Sequence, residues 1–89
     1  MEEISTAEVS LITRFFEARS MAGITQAELA ARLGMHQTTV GRFELGELIP
    51  TPRRTKMWIN ALVAEIEHKE ASLMSAKRTA SELQEEVGQ

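Results

Sequence analysis

The chain has 89 residues, of which 43% are hydrophobic and none is cysteine. This length allows one small domain, the apolar content argues against wholesale disorder, and the absence of cysteine excludes disulfides and thiolate metal sites. The first residues do not resemble a signal peptide and no apolar run is long enough to span a bilayer, so we expect a soluble, cytoplasmic protein.

Charge is distributed unevenly along the chain. The formal net charge is −3, which by itself disfavours a nucleic-acid partner. Residues 14–56, however, carry seven Arg or Lys against four Glu, whereas residues 1–13 and 57–89 each carry a net charge of −3. The basic middle segment can therefore reach phosphates although the whole chain is acidic.

The first predicted helix begins after Ser5, because Ser5 and Glu8 have the spacing of a capping box. It ends near Gly23, since glycine readily adopts the left-handed conformation that closes many helices. Four apolar residues at helical spacing are expected to share its buried face. They are Val9, Ile12, Phe15 and Phe16.

A second, shorter helix is predicted to begin at another capping box, formed by Thr25 and Glu28. Gly34 follows it and permits a sharp turn. Its apolar face consists of Leu29, Ala30 and Leu33.

The third predicted helix covers Gln37 to Leu45 and ends at Gly46. Val40 and Phe43 have the spacing of inward-pointing residues. Another face contains Thr38, Gly41 and Arg42. Two short capped helices joined by a tight turn with glycine are typical of a helix-turn-helix.

A long helix is predicted to begin at Thr51 and Pro52, because an N-cap residue followed by a first-turn proline favours a helix start. Nothing breaks the helical pattern before about Val87, so the segment is either one long helix or two helices with a bend. An apolar heptad seam follows it, with Lys69 as an interruption. The seam contains Ile59, Leu62, Ile66, Leu73, Ala76, Ala80, Leu83 and Val87.

The seam has more than one interpretation. A helix that packs on its own domain shows similar spacing, and a frayed end in solution is a further alternative. We favour dimerisation, because residues after about 67 have few remaining partners in so small a domain. The predicted dimerisation residues are Ile59, Leu62, Ile66, Leu73, Ala76, Ala80 and Leu83. Trp58 is expected in the core, with a dimer interface as the alternative.

Residues 12–62 resemble the phage-repressor-like helix-turn-helix family, which includes the lambda repressor, Cro and Xre proteins. The third helix is also similar to the POU-specific domain. The matching residues are Arg19, the run Thr25 to Ala30, Leu33 and Gly34, Gln37 to Val40, and Arg42 to Glu44. The resemblance implies an all-α bundle of about five helices with a long C-terminal helix. Residues 1–62 would form the DNA-binding domain, and residues 63–89 a helical extension for dimerisation.

The resemblance also implies roles for single residues. Gln37 would read adenine, Thr38 and Arg42 would follow on the groove side, and Arg42 suits guanine. Gln26 would contact a phosphate and brace the third helix, while Thr39 would meet a thymine methyl group or a phosphate. The structural ion pair would be Arg19 with Glu44. His36 stands where the family usually has Ser or Thr as the helix cap, so we expect either a surface cap or a contact with DNA.

Three cations at the start of the long helix are expected to contact phosphates, because the family places this helix start near the DNA backbone; ordinary solubility is the alternative. They are Arg53, Arg54 and Lys56. The two histidines, His36 and His68, lie far apart without flanking ligands, so we expect no metal site. No catalytic arrangement or phosphate-binding loop is found, and we expect no enzyme activity, no cofactor and no small-molecule ligand.

These features favour a transcriptional regulator of phage, plasmid or bacterial origin. We expect a homodimeric repressor that occupies a palindromic operator with its recognition helices in the major groove. The alternative is an antitoxin-like protein whose C-terminal helix binds a partner protein while the helix-turn-helix autoregulates.

Overall fold

A computed structural model describes residues 6–48 and 51–88, with the backbone alone for residues 6–9. The described residues form four helices and no strand: α1 (Thr6–Met21), α2 (Gln26–Leu33), α3 (Gln37–Glu44) and α4 (Pro52–Gly88). The all-α class is confirmed. The expectation of about five helices is wrong for this part of the chain, because one unbroken helix follows Pro52. The capping box of Ser5 with Glu8, and the side chain of Val9, lie outside the described residues.

Local capping chemistry sets the ends of α2. The Thr25 hydroxyl accepts from the Glu28 amide at 3.0 Å, and the Glu28 carboxylate accepts from the Thr25 amide at 3.0 Å. This capping box is the one predicted from the sequence. Gly34 closes the helix at φ +69°, in the left-handed region that an L side chain disfavours. The chain can therefore turn directly into α3.

The core lies where the four helices meet. Phe15 and Phe43 stack edge to face with ring centroids 5.1 Å apart, and Phe43 lies 4.7 Å from Trp58. Trp58 is therefore a core residue, as expected. Phe16 was predicted on the same face as Phe15, and this is wrong: it is 46% exposed beneath the Arg19 guanidinium. The buried apolar residues are Ile12, Phe15, Ile24, Leu29, Ala30, Val40, Phe43, Trp58 and Leu62.

The long helix α4 is continuous over 37 residues, which corresponds to about 55 Å. The Thr51 hydroxyl accepts from the Arg54 amide at 3.3 Å, as expected of an N-cap residue. Packing against the rest of the domain reaches Lys69, whose ammonium donates to the Gly23 carbonyl at 3.3 Å. Every residue from Glu70 to Gly88 is exposed. Among the described helices, none is both long and apolar enough to cross a membrane.

Candidate nucleic-acid interface

The inner face of α3 fixes the helix to the domain. Val40 and Phe43 are fully buried, and together they hold α3 against α1, α2 and α4. Gln37, Thr38 and Arg42 are all exposed on the remaining face. The helix therefore presents a polar surface on a backbone that buried contacts keep in place.

A hydrogen-bonded ion pair neutralises the acidic residue at the end of α3. Arg19 donates through Nε to Glu44 Oε2 at 2.7 Å and through Nη2 to Glu44 Oε1 at 3.0 Å. A third Arg19 donor reaches the Ile24 carbonyl at 2.8 Å. The Glu44 side chain is only 4% exposed, so its charge is compensated inside the domain rather than presented to a ligand.

Gln26 joins the same network from the first turn of α2. Its Nε2 donates to Glu44 Oε1 at 2.8 Å, and its amide lies over Gly41, 3.6 Å from where a Cβ atom would stand. Gln26 therefore braces α3 directly. The phosphate contact that the resemblance implies for Gln26 stays a prediction.

His36 caps α3. Its Nδ1 accepts from the Thr38 amide at 3.2 Å and lies 2.9 Å from the Thr38 hydroxyl. We expected His36 to be either a surface helix cap or a contact with DNA. The structure shows the helix cap, and a contact of the exposed ring with DNA stays a prediction. If the Thr38 hydroxyl donates to this nitrogen, its remaining lone pairs point away from the histidine and can accept hydrogen bonds.

Among the residues that the structure describes, Arg42 has one weak ion-pair partner. Its Nε lies 3.9 Å from a Glu47 carboxylate oxygen, and the two side chains are 61% and 59% exposed. A pair at this distance in water contributes little. The guanidinium of Arg42 therefore remains available to a ligand on the outer face of α3.

The start of α4 lies beside α3. Thr39, Thr51 and Arg54 line one hollow between these helices, with apolar residues beneath them. Arg53 and Lys56 are exposed on the same first turns of α4. Thr39 and Arg54 therefore line the same hollow, and the phosphate contacts expected of them stay predictions.

Comparison with known families identifies the domain. A family model described as helix-turn-helix matches residues 16–62, which is just over half of the chain. The chain belongs to the helix-turn-helix family. The matching family, of the Xre and lambda-repressor type, consists of DNA-binding regulators that are generally not enzymes, so membership implies DNA binding for this chain. Neither the curated proteins nor the solved structures gave a match.

Two ion pairs join α4 to α2, and neither was predicted from the sequence. Arg32 Nε lies 2.6 Å from Glu65 Oε1, and Lys69 Nζ lies 3.0 Å from Glu28 Oε2. The sequence did contain a signal for these pairs. Each helix carries an acidic and a basic residue four positions apart, namely Glu28 with Arg32 on α2 and Glu65 with Lys69 on α4. Antiparallel packing of α2 and α4 brings the opposite charges together. Hydrogen bonds from the Thr25 backbone and from Lys69 lower the pKa of Glu28 below its ordinary value of 4.5.

The predicted dimerisation residues do not share one environment. Leu62 belongs to the core of the helix-turn-helix and Ile66 packs against it, so most of the Leu62 side chain is covered within its own chain, and a dimer contact of Leu62 stays a prediction. The remaining predicted seam residues are all exposed, namely Ile59, Leu73, Ala76, Ala80 and Leu83. The boundary expected between residues 62 and 63 also falls inside α4, seven residues before the last contact at Lys69.

The described residues contain no group of three or more acidic or histidine side chains placed to hold a metal ion. His68 is exposed on α4, as expected of a solvated side chain.

Proposed function

We propose that the protein is a sequence-specific transcriptional regulator, acting as a homodimeric repressor that occupies a palindromic operator. The observation that supports this most is the outer face of α3. Gln37, Thr38 and Arg42 are exposed there, while Val40 and Phe43 on the opposite face are buried. A helix held in this way can enter a major groove without rearranging its backbone.

The base-reading residues in this proposal are Gln37, Thr38 and Arg42. Gln37 pairs with adenine N6 and N7, and Arg42 pairs with guanine O6 and N7. Thr38 accepts a hydrogen bond from a base through its hydroxyl oxygen, which lies 2.9 Å from His36 Nδ1. The internal neutralisation of Glu44 supports this assignment, because an unpaired carboxylate at the end of α3 would repel phosphates.

Backbone contacts would fix the orientation of the domain on the duplex. The residues proposed for phosphates or for supporting the recognition helix are Gln26, His36, Thr39, Arg53, Arg54 and Lys56. Thr39 and Arg54 line one hollow, which supports a phosphate at that point. Contacts of this kind set register and carry most of the salt dependence, whereas the α3 face carries specificity.

The homodimer rests on residues 63–89, whose exposed apolar stripe lies outside the matched helix-turn-helix. Two recognition helices on one face of DNA require half-sites about 34 Å apart, one helical turn. Repression would follow from occupancy of a promoter by the DNA-binding residues 1–62. A phage, plasmid or bacterial origin is part of this proposal, and it rests on the resemblance to repressors from those sources. The family match lies on the DNA-binding part and does not favour the antitoxin alternative.

The test is selection of bound duplexes from a random DNA pool at moderate salt, followed by light scattering of the complex. We expect a palindromic motif with half-sites one turn apart and two protein chains per duplex. Failure to enrich any motif would refute sequence-specific binding. Enrichment of a single half-site bound by one chain would refute the dimer but not the recognition helix.

A further inference from the structure

The second half of α4 leaves a large surface without a partner. The chain exposes 6774 Å², whereas a compact monomer of 9.9 kDa is expected to expose about 5,200 Å². The excess is larger than the roughly 800 Å² that each partner contributes to a standard protein interface. We define the tail as residues 70–88, all of them exposed. Its apolar stripe consists of Leu73, Ala76, Ala80 and Leu83.

A second unpartnered surface lies on the domain itself, in a groove between α1 and α4. The groove has a volume of about 280 Å³, and on its α4 side Ile59 is 38% exposed and Val63 is 46% exposed. Two buried core residues, Phe15 and Leu62, line the groove together with Leu11, Arg14, Ala18, Ile59, Val63 and Ile66. Because Ile59 and Ile66 continue into Leu73 at seven-residue spacing, the groove and the tail stripe follow the same side of α4, with Lys69 between them.

We propose that the tail of a second copy of this chain fills the groove, so that two chains exchange tails with their α4 helices antiparallel. This proposal rests on the proposed function and specifies its homodimer. The exchange is symmetric, since each chain offers one tail and one groove. Both unpartnered surfaces are thereby covered by one kind of contact.

Charge favours the antiparallel direction. Each tail ends in Glu82, Glu85 and Glu86. Antiparallel pairing keeps the two acidic ends apart, at opposite ends of the helix pair. Parallel pairing would instead set the three glutamates of each tail beside those of its twin, and like charges in contact repel.

Side-chain sizes and the spacing of successive major grooves favour one alignment of the two α4 helices. When Leu83 faces Ile59 of the second copy, the small Ala76 faces the large Ile66, and the symmetry axis crosses near residue 71. At 1.5 Å per residue, the two copies of Leu62 are then about 27 Å apart along the helix axis, and the two copies of Trp58 are about 39 Å apart. Trp58 contacts Phe43 of α3. These spacings bracket the one-turn separation of successive major grooves, about 34 Å.

Disulfide cross-linking tests the exchange directly, because the natural chain contains no cysteine. Two single variants are made, Ile59→Cys and Leu83→Cys, at positions that are exposed in one chain. In the antiparallel register, equal positions of the two copies lie about 36 Å apart, far beyond the roughly 4.4–6.8 Å between Cα atoms that a disulfide requires. We therefore expect no covalent dimer from either variant alone, and a covalent heterodimer when the two are mixed and oxidised.

Two results would overturn the proposal. Cross-linking of Leu83→Cys with itself indicates parallel helices, and the absence of any cross-link in the mixture shows that the tail does not enter the groove. Binding of the wild-type protein to the selected operator is measured alongside. Operator binding with a failed cross-link refutes tail exchange alone, whereas a heterodimer cross-link without sequence-specific binding refutes the proposed function alone.

Discussion

Removing one partner of the Arg19–Glu44 ion pair should strongly reduce the free energy of unfolding, because both side chains are largely buried. Arg19 and Glu44 side chains are 11% and 4% exposed, and two hydrogen bonds at 2.7 and 3.0 Å join them. In Arg19→Met, the Glu44 carboxylate stays buried with Gln26 as its remaining side-chain donor. Removing one partner of a buried pair typically costs about 3–5 kcal/mol, because an uncompensated charge is left behind.

The double variant Arg19→Met/Glu44→Met separates this penalty from the net value of the pair. Both charges are gone and similar apolar volume replaces them, so we expect it to recover most of the loss, to within about 2 kcal/mol of wild type. Urea unfolding followed by the fluorescence of Trp58 provides the assay, since this single tryptophan is buried in the aromatic core.

Arg42→Met serves as the matched control. It breaks the exposed 3.9 Å pair with Glu47 and should change stability by less than about 0.5 kcal/mol. If the double variant loses as much stability as the single variants Arg19→Met and Glu44→Met added together, Arg19 and Glu44 are not coupled and the internal neutralisation of Glu44 is wrong.

Three further predictions concern the cap, the α2–α4 junction and the dimer. His36→Ala should destabilise the domain by about 1 kcal/mol and His36→Asn by much less, since asparagine accepts from the same amide; equal losses in thermal unfolding would show that the cap contributes nothing. Because the pKa of Glu28 is lowered, its ionised form stabilises the folded state above pH 4.5, and this contribution disappears as the pH falls through the lowered pKa. The stability difference between wild type and Glu28→Gln should therefore shrink from pH 7 to pH 3, and a constant difference would contradict this prediction. Val63→Glu places a charge in the exposed groove and should weaken self-association at least about tenfold in sedimentation. The control Ser75→Glu lies on the tail outside the apolar stripe and should leave self-association unchanged, so equal effects of the two variants would argue against the groove.

Features set by neighbouring residues could be predicted from the sequence. The capping box of Thr25 with Glu28 and the start at Thr51 and Pro52 depend on side chains within three or four positions, and both occur as expected. The inward residues Val40 and Phe43 follow from helical spacing alone. For this reason the amino-acid sequence is sufficient to predict the α2–α3 unit and its outward face.

Features that depend on distant packing could not be predicted. Phe15 and Phe16 are adjacent on one helix, and only the positions of α3 and α4 decide which ring is buried. Lys69 interrupts the heptad seam in the sequence, but its partner Glu28 lies 41 positions earlier in the chain. Leu62 satisfies both a seam and a core pattern, because the two share the same helical spacing.

Base discrimination by Arg42 tests the central claim most directly. The affinities of wild type, Arg42→Ala and the exposed tail variant Arg78→Ala are measured at one salt concentration on the selected operator and on each of its single-base changes. We predict that Arg42→Ala loses about 1–3 kcal/mol, about 5- to 150-fold, and no longer distinguishes bases at one position of each half-site. Arg78→Ala should retain wild-type discrimination, since it removes the same charge from the tail. Arg42→Ala with wild-type affinity and discrimination would show that α3 is not the recognition helix.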